Sequence, residues 1–197
     1  MQGFNILLVG PTGVGKSTLA EDLVKYMKKE REGYWHHLES GSIIKKFASE
    51  QDLDSFAQGN LFSDERLVRW RMLNTINNLY YTLESKPNII MDGFPRTDEQ
   101  LTFLLYAEVP VHLAIFLDMK FEKVKERIIK RKRDRIDTVD VAMNRTTKEK
   151  PALIQLWSSA MNIGIQGHYL NIQEESRDDI CDFVVQKIRD KVKDVEI

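Results

Sequence analysis

Gly10-Pro11-Thr12-Gly13-Val14-Gly15-Lys16-Ser17 fits the spacing G-x-x-x-x-G-K-[ST], with Thr18 following. Each fixed position has a physical reason. Glycines let the backbone turn tightly and approach an anion, so that successive N–H groups converge on phosphate oxygens. A helix starting near Gly15 adds the positive end of its dipole. Lys16 supplies a mobile point charge, and the Ser17 hydroxyl can serve Mg²⁺ or a phosphate oxygen. The chemistry implied is polyphosphate binding at 10–18. The reaction is left open, since many nucleotide proteins share this loop.

Asp92-Gly93-Phe94-Pro95-Arg96 is a second constellation, followed by Gln100. A carboxylate at the carboxyl end of a strand sits beside a phosphate loop, where it can organise Mg²⁺ and its waters. Arg96 can fork onto a second phosphate. A third cluster is cationic: Arg127, Arg131 and Arg135, with Arg145 beyond. Arg127 and Arg131 are four apart and share one side of a helix. A basic run such as 130–135 also suits a solvated face or an RNA contact. His36, His37, His112 and His168 share no ligand spacing and read as structural, Cys181 as a packing residue, and Trp35, Trp70 and Trp157 as core.

These groups need a scaffold. Residues 4–9 form a continuous apolar run ending at Gly10, the pattern of a buried strand, and 16–31 have helical periodicity. Further strands are expected at 34–38, 88–91, 111–117 and 168–172. Helices are expected at 42–50, 64–84, 98–106, 120–132 and 177–193, with an interrupted helical stretch at 139–161. Strands alternating with helices argue for an α/β fold: a five-stranded parallel sheet covered on both faces. The excursions from it fall at 40–75 and 131–140, so the core comprises 1–39, 76–130 and 141–197.

The bulk numbers agree with one such domain. The 197 residues can bury a sizeable core, and 42% hydrophobic with 30% charged residues excludes a disordered chain. A net charge of −1 argues against a dominant nucleic-acid footprint. The single cysteine cannot form an internal disulfide or a Cys-rich zinc site, and it fits a reducing, cytoplasmic compartment. No apolar run approaches membrane-spanning length.

The motifs resemble those of the adenylate kinase family, nearly end to end. GPTGVGKST is similar to that family's phosphate loop. Glu39–Lys45 (ESGSIIK) resembles S-T-G-D-L-L-R, and 59–65 (GNLFSDE) resembles G-x-L-V-P-D-E. Asp92–Arg96 with Gln100 is similar to D-G-F-P-R-T-x-x-Q. Arg127, Arg131, Arg135 and Asp137 resemble its lid arginines and the R-x-D-D that follows. The resemblance implies a P-loop kinase with a helical monophosphate-binding lobe at 40–75 and a lid at 131–140. It implies transfer of the γ-phosphoryl of ATP to AMP, with Mg²⁺, by a monomer. On it, Gly13, Val14, Gly15, Lys16, Ser17, Thr18 and Arg127 hold ATP. Ser40, Lys45, Asn60, Leu61, Phe62, Gly93, Phe94, Pro95, Arg96 and Gln100 hold the monophosphate. Lys16, Arg96, Arg131, Arg135 and Arg145 surround the transferred group, and Ser17 and, through water, Asp92 serve the metal.

The chain departs from the pattern at several points. Ser40 replaces threonine, Ser42 an acid, Lys45 an arginine, Phe62 a valine, and Thr138 the second aspartate of R-x-D-D. Only three residues separate Arg131 from Arg135, which leaves no room for a zinc-binding insert. Gln100 can donate to and accept from an adenine edge, which favours AMP. A uridylate/cytidylate or broad-specificity kinase is the alternative acceptor reading. A non-catalytic, RNA-associated nucleotide binder is the alternative of another class.

Overall fold

The computed structural model describes residues 3–30, 33–58, 65–83, 87–130 and 139–195. Its elements run β1 (Asn5–Val9), α1 (Lys16–Lys29), β2 (Trp35–Glu39), α2 (Ser40–Lys45), α3 (Glu50–Ala57), α4 (Glu65–Thr82) and β3 (Asn88–Asp92). They continue with α5 (Asp98–Tyr106), β4 (Leu113–Met119), α6 (Phe121–Lys130), α7 (Val139–Asn162), β5 (Gln166–Ile172) and α8 (Arg177–Val195). The five strands form one parallel sheet in the order β2-β3-β1-β4-β5. The expected α/β architecture, with helices on both faces, is the observed one.

Strand alternation divides the core in two. Along β1, Ile6 and Leu8 face Leu19, Leu23 and Met27 of α1 and Val184, Val185 and Ile188 of α8. Leu7 and Val9 face Met72 and Ile76 of α4, Leu101 and Leu104 of α5, and Leu153 and Leu156 of α7. Successive side chains of a strand point to opposite faces, so a strand buried on both sides is apolar throughout. That is why residues 4–9 carry no polar alternation apart from Asn5.

The chain leaves β1 toward one edge of the sheet and, after β3, crosses to the other. The two strands therefore lie side by side where the winding reverses, and ligands of open α/β sheets bind at the carboxyl ends of strands at such a point. The register sets Leu8 opposite Asp92, so the loop after β1 and the loop after β3 open at the same level.

Three expectations change. The interrupted stretch at 139–161 is one continuous helix of 24 residues that runs through Pro151. An interior proline costs about 3 kcal/mol. Here Pro151 faces solvent, while Leu153, Leu156 and Ala160 are buried on the inner face and offset that cost. The expected helix at 42–50 is two short helices, α2 and α3. Trp70, expected in the core, is 59% exposed, because position 70 lies opposite the buried stripe of Val68, Met72 and Ile76. Among the described residues, no helix is long and apolar enough to cross a membrane.

Candidate active site

Gly10, Gly13 and Gly15 all take positive φ, and α1 begins directly after Gly15. At Gly10 the requirement is absolute: a Cβ there would stand 2.3 Å from the Leu117 carbonyl oxygen of β4. No side chain caps α1 and no acidic residue stands in its first turn. Its first N–H groups are therefore left uncapped by their own helix and face the site. Lys16 is buried, and its Nζ donates to the loop's own carbonyls, Gly10 O at 2.6 Å and Pro11 O at 2.9 Å. The ammonium thus sits at the mouth of the loop on short-range contacts that a phosphate oxygen can replace.

Beside the loop lies a cavity of about 280 Å³, lined by Val14, Gly15, Thr18, Leu19 and Leu117 on one side and Ile172 and Ile180 on the other. Arg127, Lys130 and Arg177 stand at its rim, and Arg127 Nη1 donates to Val14 O at 3.0 Å. An aliphatic slot beside a phosphate-binding loop suits the nucleoside end of a triphosphate. Leu19, Ile172 and Ile180 were not singled out from the sequence. They read there as core positions, which Leu19 and Ile172 also are.

Across the crevice, Asp92 ends β3 and is buried. Burial works against its ionisation, but a hydrogen bond from His37, the charge of Lys16 and the Ser17 hydroxyl outweigh it and hold the carboxyl below its usual range. The His37 contact joins the neighbouring strands β2 and β3, Nε2 to Oδ2 at 3.2 Å. An ionised carboxylate joined to a hydroxyl at the start of α1 is a pair of hard oxygen ligands, and it fits Mg²⁺ arriving on phosphates. Among the described residues, no three His, Cys, Asp or Glu side chains gather as a metal cage.

The turn after β3 builds a second polar cradle, of a kind that could hold an anion. Gly93 has φ 77°, and a Cβ there would meet Ser40 Oγ at 2.7 Å and Arg96 Nη2 at 2.9 Å. Only glycine lets this hydroxyl and this guanidinium converge over the backbone. Arg96 is held on three sides. Its Nε donates to Gly93 O at 2.8 Å, its Nη1 to Glu149 Oε1 at 2.5 Å, and its backbone N–H to Gln100 Oε1 at 2.7 Å. Phe94 packs in the core, Pro95 is buried after a cis peptide bond, and Lys45 stands exposed at the end of α2.

At four positions the structure adds to the sequence reading. Gln100 was expected to face a base. It is buried, and one lone pair of its carbonyl oxygen is used by Arg96. His37 was expected to be merely structural and belongs to the site. Arg145 is buried on α7, the helix from which Thr146 and Glu149 reach the phosphate loop. Glu149 was missed, although it stands in the apolar stripe of α7, four residues before Leu153 and seven before Leu156. A charge in a buried stripe is the signal that could have found it. Asn60, Leu61, Phe62, Arg131 and Arg135 lie outside the described residues.

Comparison with known proteins points the same way. The profile of a family described as "AAA domain" matches residues 6–148. The adenylate kinase of Porphyromonas gingivalis is 25% identical over 165 residues, covering 78% of this chain and 82% of that protein. The adenylate kinase of Bacteroides thetaiotaomicron is 26% identical over 135 residues, 66% of this chain and 68% of its own length. The adenylate kinase of Methanococcoides burtonii is 27% identical over 131 residues, and there the chain spans 57% of the relative's length.

Proposed function

Because this chain belongs to the adenylate kinase family, we propose that it is a nucleoside monophosphate kinase. Its reaction is ATP + AMP = 2 ADP, with Mg²⁺. The observation that carries this reading is the second cradle. Ser40 and Arg96 converge over Gly93, one strand away from the phosphate loop. A protein that only binds or hydrolyses a triphosphate needs one anion site; a transferase between two nucleotides needs two, facing each other.

In this scheme the loop Gly13–Thr18 and Arg127 hold the triphosphate, with its nucleoside in the aliphatic slot. Ser40 and Arg96 hold the monophosphate's phosphoryl group. Ser17 and, through water, Asp92 would hold Mg²⁺ here, and the ion would supply charge neutralisation on the phosphates. Phosphoryl transfer asks little covalent work of the protein, so Lys16 and Arg96 act by position and charge. Arg131, Arg135 and Arg145 are assigned to the transferred group on the resemblance alone. No general base is required, because the attacking phosphate oxygen is already ionised. We assign a monomer acting in the cytoplasm on the same footing.

The use of Gln100 Oε1 by Arg96 favours a second reading of the acceptor, in which the base is read loosely and pyrimidine monophosphates also serve. A coupled assay with ATP–Mg²⁺ against AMP, UMP, CMP, GMP and dTMP decides between the two. A clear preference for a pyrimidine excludes the AMP assignment, and no turnover with any of the five excludes the kinase.

A further inference from the structure

One buried side chain joins the tip of the phosphate loop to the arginine of the second cradle. Glu149 Oε2 accepts the Thr12 N–H at 2.9 Å and the Thr12 hydroxyl at 3.1 Å, while Oε1 accepts Arg96 Nη1 at 2.5 Å. Thr146, three residues earlier on α7, shares its one hydroxyl proton between the Thr12 carbonyl at 3.1 Å and the Ala142 carbonyl of its own helix at 2.9 Å. Thr12 is thus tied to α7 at its N–H, its hydroxyl and its carbonyl. The side chain of Glu149 is 3% exposed and that of Arg96 28% exposed. The carboxylate is fixed in the interior, and the guanidinium is the partner that can turn.

A carboxylate is an odd neighbour for a polyphosphate loop. By charge alone it weakens binding of the anion. Its hydrogen bonds act the other way, because they restrict the loop tip to one arrangement before the ligand arrives. The two oxygens of Glu149 share one negative charge, so the strength with which each accepts depends on what the other holds. A phosphate that draws on the Arg96 guanidinium weakens the Arg96–Glu149 pair and leaves more of the carboxylate's accepting power to Thr12.

We propose that Glu149 is a positioning residue that couples the two anion sites, so that an anion on Arg96 fixes Thr12 and tightens triphosphate binding at the loop. The second ligand then finds part of the ordering already done, which is positive cooperativity. Linkage requires the reverse effect to be equal. The proposal rests on the two-nucleotide reading only for the identity of the acceptor; the coupling itself needs just an anion at Arg96.

The test is calorimetric titration of the full chain with the non-hydrolysable analogue AMP-PNP and Mg²⁺. It is run alone, with saturating AMP, and with saturating inorganic phosphate. In the wild type the second ligand tightens AMP-PNP binding by about fivefold or more. Glu149→Gln, which keeps the shape and removes the charge, brings that ratio close to one. Thr12→Val keeps the N–H, loses the hydroxyl, and reduces the ratio in the same direction; it decides the matter if Glu149→Gln does not fold. A packing role would change affinities with and without the second ligand together and leave the ratio alone. The proposal is overturned if neither AMP nor phosphate changes AMP-PNP affinity in the wild type, or if a folded variant keeps the wild-type ratio. Coupling to phosphate without coupling to AMP upholds the role of Glu149 and counts against AMP as acceptor.

Discussion

His37 on β2 reaches diagonally across the parallel sheet and sets Nε2 3.2 Å from Oδ2 of Asp92, the last residue of β3. It is the strand-borne partner of a carboxylate that is otherwise buried between Ser17 and Lys16. His37→Leu leaves that oxygen without its donor, and a buried acceptor so stranded costs about 1–3 kcal/mol. The variant should melt lower and turn over more slowly, and His37→Gln, which retains an amide donor, should recover most of both. Equal stability of His37→Leu and the wild type in urea would show that the contact carries no weight.

Gly93→Ala tests the second cradle directly. The added Cβ is strained at φ 77° and falls onto Ser40 Oγ and Arg96 Nη2. A strained backbone residue costs about 1–3 kcal/mol, and 1.4 kcal/mol is a factor of ten. The KM of the monophosphate acceptor should rise by roughly tenfold or more, while the affinity for AMP-PNP changes little. A selective loss of triphosphate binding would put the cradle on the wrong ligand.

Lys16→Ala and Arg96→Ala separate the two half-sites. Each removes a preorganised cation and should lower turnover on the order of 10²-fold or more. The two differ in stability. Arg96→Ala leaves Glu149, 3% exposed, without its cation, and a buried group that loses its partner costs about 1–3 kcal/mol. Chemical denaturation of the pair of variants, read beside steady-state rates, checks both parts. Full activity in either variant would refute the site.

The three inner strands β1, β3 and β4 were legible in the sequence because each is short, largely apolar and bounded by turn residues, whereas the edge strands β2 and β5 are more polar. The motif spacing at 10–18 and 92–100 located the crevice. Three features were not legible, each for a physical reason. The path of α7 through Pro151 depends on burial of Leu153 and Leu156, which outweighs local propensity. His37 and Asp92 are 55 residues apart and meet only through the strand order β2-β3-β1. Glu149 meets Thr12 across 137 residues, and helical periodicity marks it only as an anomaly in a buried stripe.

His112 links pH to stability at the opposite end of the sheet. Its Nδ1 accepts the Asn5 N–H at 2.9 Å, and its ring stacks on Phe4. Burial lowers its pKa below the ordinary 6.5. The unfolded chain therefore binds a proton before the fold does, so this contribution is fully present above about pH 6.5 and declines as pH falls toward the folded-state pKa. His36 and His168 are lowered by burial as well and act with the same sign. His112→Asn keeps an acceptor without titrating. It should show a shallower loss of melting temperature than the wild type between pH 7.5 and pH 5.5. Parallel curves would mean that His112 does not report the acid limb.

The aliphatic slot beside the loop gives a prediction that separates donor from acceptor. Ile180 on α8 lines the cavity of about 280 Å³ opposite Val14 and Leu19. Ile180→Trp fills part of that space with a flat apolar ring and touches neither Ser40 nor Arg96. Filling an existing hollow does not strain the core as overpacking does, so the melting temperature should hold or rise. The KM for ATP should rise by roughly tenfold, the worth of about 1.4 kcal/mol, while the KM of the acceptor stays within about twofold of the wild type. A rise in the acceptor KM instead would exchange the two nucleoside positions. Unchanged values for both would mean that the triphosphate's nucleoside lies outside this slot, with only its phosphates on the loop.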